Sequence, residues 1–457
     1  MMDTATAARI VDGRLVGAPV RFLRVTTDSR ALAAGDLFVA LKGERFDGHD
    51  FVPAALAQGA VAAMVAADRA PAFDGALIAV PDPLAALGQL AAHWRRQFAL
   101  PVAVVVGSNG KTTVKEMLAG ILRQAYGTDG VLATAGNLNN AIGLPLTLLR
   151  LTAAHRAAAV ELGMNHRGET RELAAIAQPT IVVVNNAQRE HQEFMASVAE
   201  VAAEHADAVA ALPRGGVAVI NGDDAHADVW RAAAAAAGAR VVTFGVGPGA
   251  DVRAECTLAG DGSDVTLSTA DGTVRLSLAV PGRHMVSNAL AAAAAALAAG
   301  APLSAVQAGL AAFRAVAGRL VALRTPAGAA VLDDTYNANP DSMRAAIDVL
   351  AAAPGERWLV IGDMGEVGAA GPAFHREIGA YARARGVARM FALGTLAQEA
   401  ATAFGGGATH YADADALARA VAADAGAGVT VLVKGSRFMR MERVVAVLAG
   451  QPAAGAH

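Results

Sequence analysis

The feature that most constrains the fold of this chain is a glycine-rich loop, Gly-Ser-Asn-Gly-Lys-Thr-Thr, at residues 107–113. It follows a short β-branched run at 101–106 and precedes a helical stretch at 115–126. Glycines let the backbone approach phosphate oxygens, and the N–H groups at a helix N-terminus attract negative charge. The alternative is a strand–helix turn with a solvated lysine. The agreement of strand, loop, Lys-Thr-Thr and helix favours a nucleoside triphosphate site.

The loop residues have distinct predicted roles. Lys111 is predicted to bridge the β- and γ-phosphates, and the hydroxyl of Thr112 to bind Mg²⁺. Val105 stands where the standard pattern has a glycine, so the loop is a shortened variant. The residues predicted to bind the nucleotide in this loop are Gly107, Ser108, Asn109, Gly110, Lys111, Thr112 and Thr113.

Strand-like apolar runs alternate with alanine-rich helical stretches through the middle of the chain. Such alternation predicts an α/β fold with a mainly parallel central sheet flanked by helices. A further stretch at 250–280 alternates polar and apolar residues, with Asp-Gly turns at 261–262 and 271–272, and predicts an appended antiparallel hairpin. The central strands are predicted at 101–106, 157–162, 181–185, 217–220 and 241–244.

The length of 457 residues allows several domains. A Pro-Asp-Pro break at 81–83 and a shift towards Gly and Pro at 325–328 suggest the boundaries. We predict a smaller α/β N-terminal domain, a central nucleotide-binding domain and a Rossmann-like C-terminal domain, whose strands lie at 358–362, 389–393 and 429–433. The predicted domains span residues 1–82, 83–318 and 319–457.

Composition excludes several classes of protein. Hydrophobic residues make up 54% of the chain, but they are mostly alanine, and no stretch approaches the roughly 20 strongly apolar residues of a membrane span. A net charge of −3 and an aromatic content of 4% argue against nucleic-acid binding. Residues 1–14 lack a signal-peptide pattern. We therefore expect a cytoplasmic protein without membrane insertion, acting as a monomer.

Other nucleotide-dependent classes lack support. No Asn-Lys-x-Asp guanine reader is present, and no basic or aromatic track for a polymer is visible. The chain instead carries Asn-, Gly- and His-rich segments suited to a small polar substrate. Ten short segments carry a resemblance to a known family, at 26–30, 36–43, 47–49, 136–145, 281–284, 287–289, 318–320, 334–343, 362–366 and 434–437.

The shortened loop and these segments, in this order, resemble the Mur ligase family. The resemblance implies an ATP-dependent amide ligase of peptidoglycan precursor synthesis. In this reaction ATP activates the terminal carboxylate of UDP-N-acetylmuramoyl-tripeptide as an acyl phosphate, and the amine of D-alanyl-D-alanine attacks it. Lys111 and Mg²⁺ would neutralise the phosphates, and Arg319 could stabilise the group in transfer. Because Lys111 and Arg319 lie in or beside different domains, catalysis is expected to require domain closure.

The same resemblance implies roles for residues that would otherwise pass as capping groups, surface histidines or ordinary turns. It makes Glu161 and His191 metal ligands and catalytic residues beside Lys111 and Arg319. It places His284, Asn288, Arg319 and Asp334 at the nucleotide. The implied substrate-binding residues are Ser29, Arg30, Lys42 and His49 at the UDP end, and Asn137, Asn139, Asn140, Tyr336, Asn337 and Asn339 nearer the peptide.

One position departs from the family pattern. The family commonly has a lysine, carried as a carbamate near a second Mg²⁺, where this chain has His205. A histidine cannot become a carbamate, and Mg²⁺ prefers oxygen donors. One hypothesis is that Glu204 or Asp207 provides the missing charge. The other is that substrate and water hold the second cation.

The sequence leaves two alternative functions open. One is a related ligase that adds a single amino acid; the Asn-Ala-Asn-Pro segment at 337–340 and the lack of an Asp-Asn-Pro-Arg segment argue against the diaminopimelate-adding member. The other is a non-catalytic nucleotide-dependent binding module. The sequence does not distinguish diaminopimelate from lysine as the third residue of the substrate peptide.

Overall fold

The computed structural model describes residues 1–259 and 262–451. Within these ranges, three β-sheets follow one another along the chain, and each is covered by helices. No helix in the described part of the chain is both long and apolar enough to cross a membrane. The predicted α/β architecture is confirmed.

The first sheet is small and mixed. Its first two strands pair antiparallel and the others pair parallel. Helices Thr4–Ile10 and Val52–Ala57 accompany it, with 3₁₀ turns at Ser29–Ala31, Gly48–Phe51 and Ala70–Ala72, and Met2–Asp3 pairs separately with Arg21–Phe22. The strand order is Arg14–Val16, Leu77–Val80, Ala62–Ala66, Asp36–Val39 and Arg24–Thr26.

The central sheet has nine strands, and the seven from Val252–Leu258 to Val131–Ala133 run parallel. Its order is Gly272–Leu278, Ser263–Thr269, Val252–Leu258, Arg240–Gly245, Val217–Asn221, Ile181–Val184, Val102–Val106, Ala157–Glu161 and Val131–Ala133. Its helices are Pro83–Arg95, Lys111–Tyr126, Gly143–Leu148, Glu169–Ala177, Val198–Ala210, Ala227–Ala237, Arg283–Ala298 and Leu303–Ala311, with a 3₁₀ turn at Thr128–Gly130. The five central strands predicted from sequence are all present.

The strand Val102–Val106 shows why these runs are continuously apolar. All five of its residues are buried. Ala103 and Val105 face one core, and the alternate residues of the strand face the other. Because helices cover both faces of the sheet, a strand at its centre has no polar side.

The predicted hairpin is larger than expected. Its strands Val252–Leu258, Ser263–Thr269 and Gly272–Leu278 form a three-stranded antiparallel unit, joined in parallel to Arg240–Gly245. The expected turn at 271–272 is present, and Gly272 has a φ of 135°. Asp261 of the other expected turn lies outside the described residues.

The third sheet is parallel except for its first pair. Its helices are Pro340–Ala352, Gly371–Ala384, Ala397–Phe404, Ala414–Asp424 and Glu442–Leu448, with 3₁₀ turns at Gly368–Ala370 and Arg437–Met439. Its strand order is Val321–Arg324, Ala330–Asp334, Val429–Lys434, Glu356–Gly362, Arg389–Leu393 and Ala408–Tyr411. The carboxyl ends of these strands form the edge where open α/β sheets bind ligands.

Alanine allows the helix Arg283–Ala298 to lie close to its neighbours. Residues 291–296 of this helix are all alanine and fully buried. We predict that Ala292→Met lowers stability by about 1–3 kcal/mol, because the added atoms overpack the core. Urea unfolding should then show a lower midpoint for this variant. Ala232→Met, at an exposed helical site, is the matched control, and equal midpoints for the two variants would contradict the prediction.

Candidate active site

The glycine-rich loop lies between the strand Val102–Val106 and the helix Lys111–Tyr126. Gly107 and Gly110 have φ values of 140° and 83°, which favour glycine. A Cβ at Gly110 would clash with the side chain of Asn288. Since the first N–H groups of a helix have no partner within it, this end offers donors to an anion.

Lys111 folds back over the loop. Its ammonium group donates to the carbonyl oxygens of Gly107 at 2.5 Å and Ser108 at 3.3 Å. The same nitrogen lies 3.4 Å from Oε2 of Glu190. The side chain is 16% exposed, so the charge sits in the cleft wall beside the loop.

A buried carboxylate stands next to the first turn of the loop helix. Glu161 ends the strand Ala157–Glu161 and is 3% exposed. Its Oε2 accepts a hydrogen bond from the Thr112 hydroxyl at 2.8 Å, and its Oε1 accepts one from the Asn139 amide at 2.7 Å. Hydroxyl and carboxylate oxygens are the donors that Mg²⁺ prefers, so this pair is suited to hold the cation.

Arg319 lies just before the strand Val321–Arg324 of the third sheet and contacts the same hydroxyl. Its Nη2 donates to Oγ1 of Thr112 at 2.9 Å. The guanidinium also lies over the ring of Tyr336, 4.1 Å from its centroid. This cation–π contact holds a positive charge beside the loop.

Asparagine side chains bind the loop to both neighbouring stretches. The Asn109 amide donates to Gln188 at 2.6 Å, and the Asn339 amide donates to Oδ1 of Asn109 at 2.9 Å. The Asn185 amide donates to Oδ1 of Asn288 at 2.9 Å. Asn339 also caps the helix Pro340–Ala352. The loop therefore contacts the third sheet's first helix directly.

A second buried cation lies farther along the cleft. Lys434 is 3% exposed, and its ammonium group donates to Asp334 at 2.6 Å and to the Asn337 carbonyl at 2.8 Å. Nearby, burial lowers the pKa of His284, although Asp334 opposes the shift. Lys434, Asp334 and His284 all line the cleft.

These groups line one cleft of about 1000 Å³. Gly107, which was predicted to bind the nucleotide, is not part of the lining. The predicted residues that line the cleft are Ser108, Asn109, Gly110, Lys111, Thr112, Thr113, Asn137, Asn139, Asn140, Glu161, His191, His284, Asn288, Arg319, Asp334, Tyr336, Asn337 and Asn339. Residues far apart in sequence thus share one surface.

Comparisons with known proteins agree with this architecture. Family models described as the Mur ligase catalytic domain, the Mur ligase middle domain and the Mur ligase glutamate ligase domain match residues 22–95, 105–296 and 318–437. The chain is 43% identical, over 452 residues and 96% of each chain, to UDP-N-acetylmuramoyl-tripeptide–D-alanyl-D-alanine ligase of Escherichia coli K12. The chain belongs to the Mur ligase family.

Two solved Mur ligases have similar structures. MurF from Acinetobacter baumannii superposes with a TM-score of 0.90 at 33% identity, covering 98% of this chain and 99% of that one. MurF from Thermotoga maritima, solved in complex with ADP, gives 0.81 at 26% identity, covering 94% and 97%. The whole three-sheet arrangement is therefore that of a Mur ligase.

The predicted metal ligand His191 lies in a charged cluster of this Mur ligase. Its backbone has a φ of 50°. Its Nδ1 is 2.6 Å from Oε2 of Glu366, and its Nε2 is 3.7 Å from Glu190. Burial opposes ionisation of Glu190, but Lys111, His205 and His191 outweigh it and lower its pKa to about 2. Glu190 is thus ionised, and sequence reasoning did not single it out.

The hypothesis that Glu204 or Asp207 supplies charge to this cluster is wrong. Both oxygens of Glu204 accept hydrogen bonds from backbone N–H groups, those of Gly168 and Thr170, each at 2.9 Å. Asp207 pairs with Arg171 at 3.1 Å. Both carboxylates therefore serve the start of the helix Glu169–Ala177, because they lie on the face of their own helix that packs against it.

The four residues predicted for the UDP end do not line the cleft. Arg30 is exposed and paired with Asp28 at 2.9 Å; Ser29 lies beside it, and Lys42 is exposed. His49 requires a correction: it is buried, its Nδ1 is 2.6 Å from Asp47, and its Nε2 accepts the Ala66 N–H at 3.0 Å. With both ring nitrogens engaged, His49 supports the local fold.

Arg189 was also missed from sequence, and it links the central and third sheets. Its guanidinium contacts Asp341 at 2.6 Å and Glu377 at 2.7 Å. These bonds raise the pKa of Arg189 despite its partial burial. The only sequence signal was its position in the His191 segment, because both partners lie more than 150 residues away.

We predict that Arg189→Gln loosens this junction. Loss of the charge-assisted bonds should cost about 1.5–3 kcal/mol locally, or about 10- to 100-fold faster amide exchange at the start of the helix Pro340–Ala352. Hydrogen–deuterium exchange checks this. Arg376→Gln, which removes an exposed pair with Glu399, should leave the exchange of this segment unchanged. Equal effects of the two variants would contradict the assigned role.

Proposed function

We propose that this chain joins D-alanyl-D-alanine to UDP-N-acetylmuramoyl-tripeptide in an ATP-dependent reaction. The products are UDP-N-acetylmuramoyl-pentapeptide, ADP and phosphate, in peptidoglycan precursor synthesis. The observation that carries the proposal is the contact of Thr112 with Glu161 on one side and Arg319 on the other. It places a phosphate loop, a cation-binding carboxylate and a guanidinium at one point. The curated relatives that the chain matches almost end to end carry this activity in their names.

ATP occupies the loop in this proposal, supported by the ADP held by the Thermotoga maritima relative. The helix N-terminus and Lys111 meet the phosphates, and His284 and Asn288 lie along the cleft for the adenosine. Thr112 and Glu161 would hold Mg²⁺ through their oxygen donors, and His191 would lie near a second cation. Bound Mg²⁺ would neutralise phosphate charge that otherwise repels the substrate carboxylate.

The reaction proceeds in two steps. The tripeptide carboxylate oxygen attacks the γ-phosphorus, and the bond to the bridging oxygen of ADP breaks. The amine of the dipeptide then attacks the acyl carbon, loses a proton, and phosphate leaves with the former carboxylate oxygen. Lys111 and Arg319 stabilise the charge of the phosphoryl group in transfer, since both are fixed beside the loop before reaction begins.

The proposed domains divide the work. Residues 1–82 bind the UDP-sugar, 83–318 bind ATP and the reacting carboxylate, and 319–457 bind the dipeptide. Each stretch carries its own sheet, which supports these boundaries. Asn137, Asn139 and Asn140 face the peptide from the central side, and Tyr336, Asn337 and Asn339 face it from the other.

We also infer that the chain acts as a monomer in the cytoplasm. The hydroxyl, the carboxylate and the guanidinium that meet at the phosphate loop all come from the same chain, which supports a monomer. The substrate is a nucleotide-linked precursor, and ATP is the co-substrate. The nucleotide-linked precursor and ATP are both most readily available in the cytoplasm.

The test is phosphate release from ATP with UDP-N-acetylmuramoyl-tripeptide, measured with and without D-alanyl-D-alanine. We predict dipeptide-dependent release with the diaminopimelate- or the lysine-containing substrate, and its loss in Lys111→Ala. Thermal unfolding of this variant should remain cooperative, so that lost release is not lost fold, with a midpoint lowered only as far as the missing contact with Glu190 requires. No dipeptide-dependent release with either substrate, or release without the dipeptide at the same rate, would overturn the proposal.

A further inference from the structure

A buried carboxylate at the cleft wall is surrounded by basic groups. Glu190 is 6% exposed. Its oxygens lie 3.4 Å from Nζ of Lys111, 3.6 Å from Nε2 of His205 and 3.7 Å from Nε2 of His191. Glu190 also lines the cleft together with Glu161 and His191. The carboxylate therefore sits beside the phosphate loop, within reach of a ligand bound there.

The polar groups of this cluster are not satisfied by the protein. Oε1 of Glu190 and both ring nitrogens of His205 are buried without a hydrogen-bond partner among the described residues. His205 is only 1% exposed. Buried polar atoms in native proteins are rarely left unpaired, so these atoms indicate a further group that occupies the site when the enzyme works.

The charge of Glu190 needs a partner other than Lys111. In this structure Lys111 lies between the loop carbonyls and Glu190, whereas the proposed reaction directs its ammonium group to phosphate oxygens. Removing one cationic partner from a buried carboxylate is costly, and the two imidazoles that remain lie 3.6 and 3.7 Å away, beyond hydrogen-bond distance of its oxygens. A divalent cation bound by carboxylate and phosphate oxygens supplies that charge and matches the donor type.

Glu366 also lines the cleft and contacts His191, but its side chain is 47% exposed, whereas Glu190 is buried. Glu204 and Asp207 serve the start of the helix Glu169–Ala177. His205 stands where the family resemblance implies a carbamylated lysine, and an imidazole cannot carry that group. The nearest carboxylate to His205 in the cluster is Glu190 itself.

We propose that Glu190, positioned by His205, is a carboxylate ligand of the second Mg²⁺ of this reaction, and that the chain needs no carbamylated lysine. The inference rests on the proposed function. Glu190 is the metal ligand, and His205 acts through it: its Nε2 lies 3.6 Å from Oε1, and a small shift of the carboxylate on binding the cation would let the ring donate to that oxygen and orient it. Such supporting contacts change metal affinity by about 10- to 100-fold.

The first test counts bound Mn²⁺ by electron paramagnetic resonance, with the full chain and a non-hydrolysable ATP analogue. The wild type should bind two Mn²⁺, one of them lost in Glu190→Gln. Glu190→Asp keeps a carboxylate, so its affinity for the second ion should lie between that of the wild type and that of Glu190→Gln. Glu193→Gln, an exposed change in the same segment, is the matched control and should bind both ions. Thermal unfolding verifies that each variant is folded.

The second test concerns His205. His205→Gln keeps an N–H donor near Glu190 and should retain most of the second-site affinity. His205→Leu should weaken it by about 10- to 100-fold without changing the first site. If His205 had only a structural role, His205→Leu would alter stability and leave the ratio of the two Mn²⁺ affinities unchanged.

Bicarbonate provides an independent readout. Turnover of the wild type should be the same in CO₂-depleted buffer with and without added bicarbonate. Unchanged Mn²⁺ binding by Glu190→Gln, or activation of the wild type by bicarbonate, would overturn the assignment. Missing dipeptide-dependent phosphate release in the wild type would instead overturn the proposed function.

Discussion

The hydroxyl of Thr112 is the point on which the rest of the site depends. It donates to Glu161 at 2.8 Å and accepts from Arg319 at 2.9 Å. The parallel register sets Glu161 opposite Val105, so its carboxylate stands beside the first turn of the loop helix. Arg319 arrives from another sheet and is held over the ring of Tyr336. The fold thus brings separate segments of the sequence together at one hydroxyl group.

Electrostatics in this protein are local. The net charge is −3, so the chain as a whole does not attract anionic substrates. Lys111, Arg319 and Lys434 instead carry positive charge inside the cleft, each held by a specific partner. In a partly desolvated cleft such fixed charges act more strongly than they would in water. The buried carboxylates Glu161 and Glu190 complement them and give cations oxygen ligands.

Local patterns predicted much of this structure. The loop, the five central strands and the α/β class follow from apolar periodicity and turn chemistry, which operate over short distances. Glu190 and Arg189 had no such signal, because their partners lie far away in sequence. The predictions for His49 and Glu204 were wrong for the converse reason. Their sequence context suggested binding roles, but their side chains accept hydrogen bonds from backbone N–H groups. The predicted hairpin has three strands, and the first of them also extends the parallel sheet.

The proposed reaction requires that the γ-phosphoryl group of ATP pass to a carboxylate in this cleft before the amide bond forms. The most direct test uses UDP-N-acetylmuramoyl-tripeptide with ¹⁸O at both oxygens of its terminal carboxylate. After turnover with ATP and D-alanyl-D-alanine, mass spectrometry of the released phosphate should find one ¹⁸O atom per phosphate. Phosphate without ¹⁸O, produced while the pentapeptide forms, would contradict activation of the carboxylate by phosphoryl transfer.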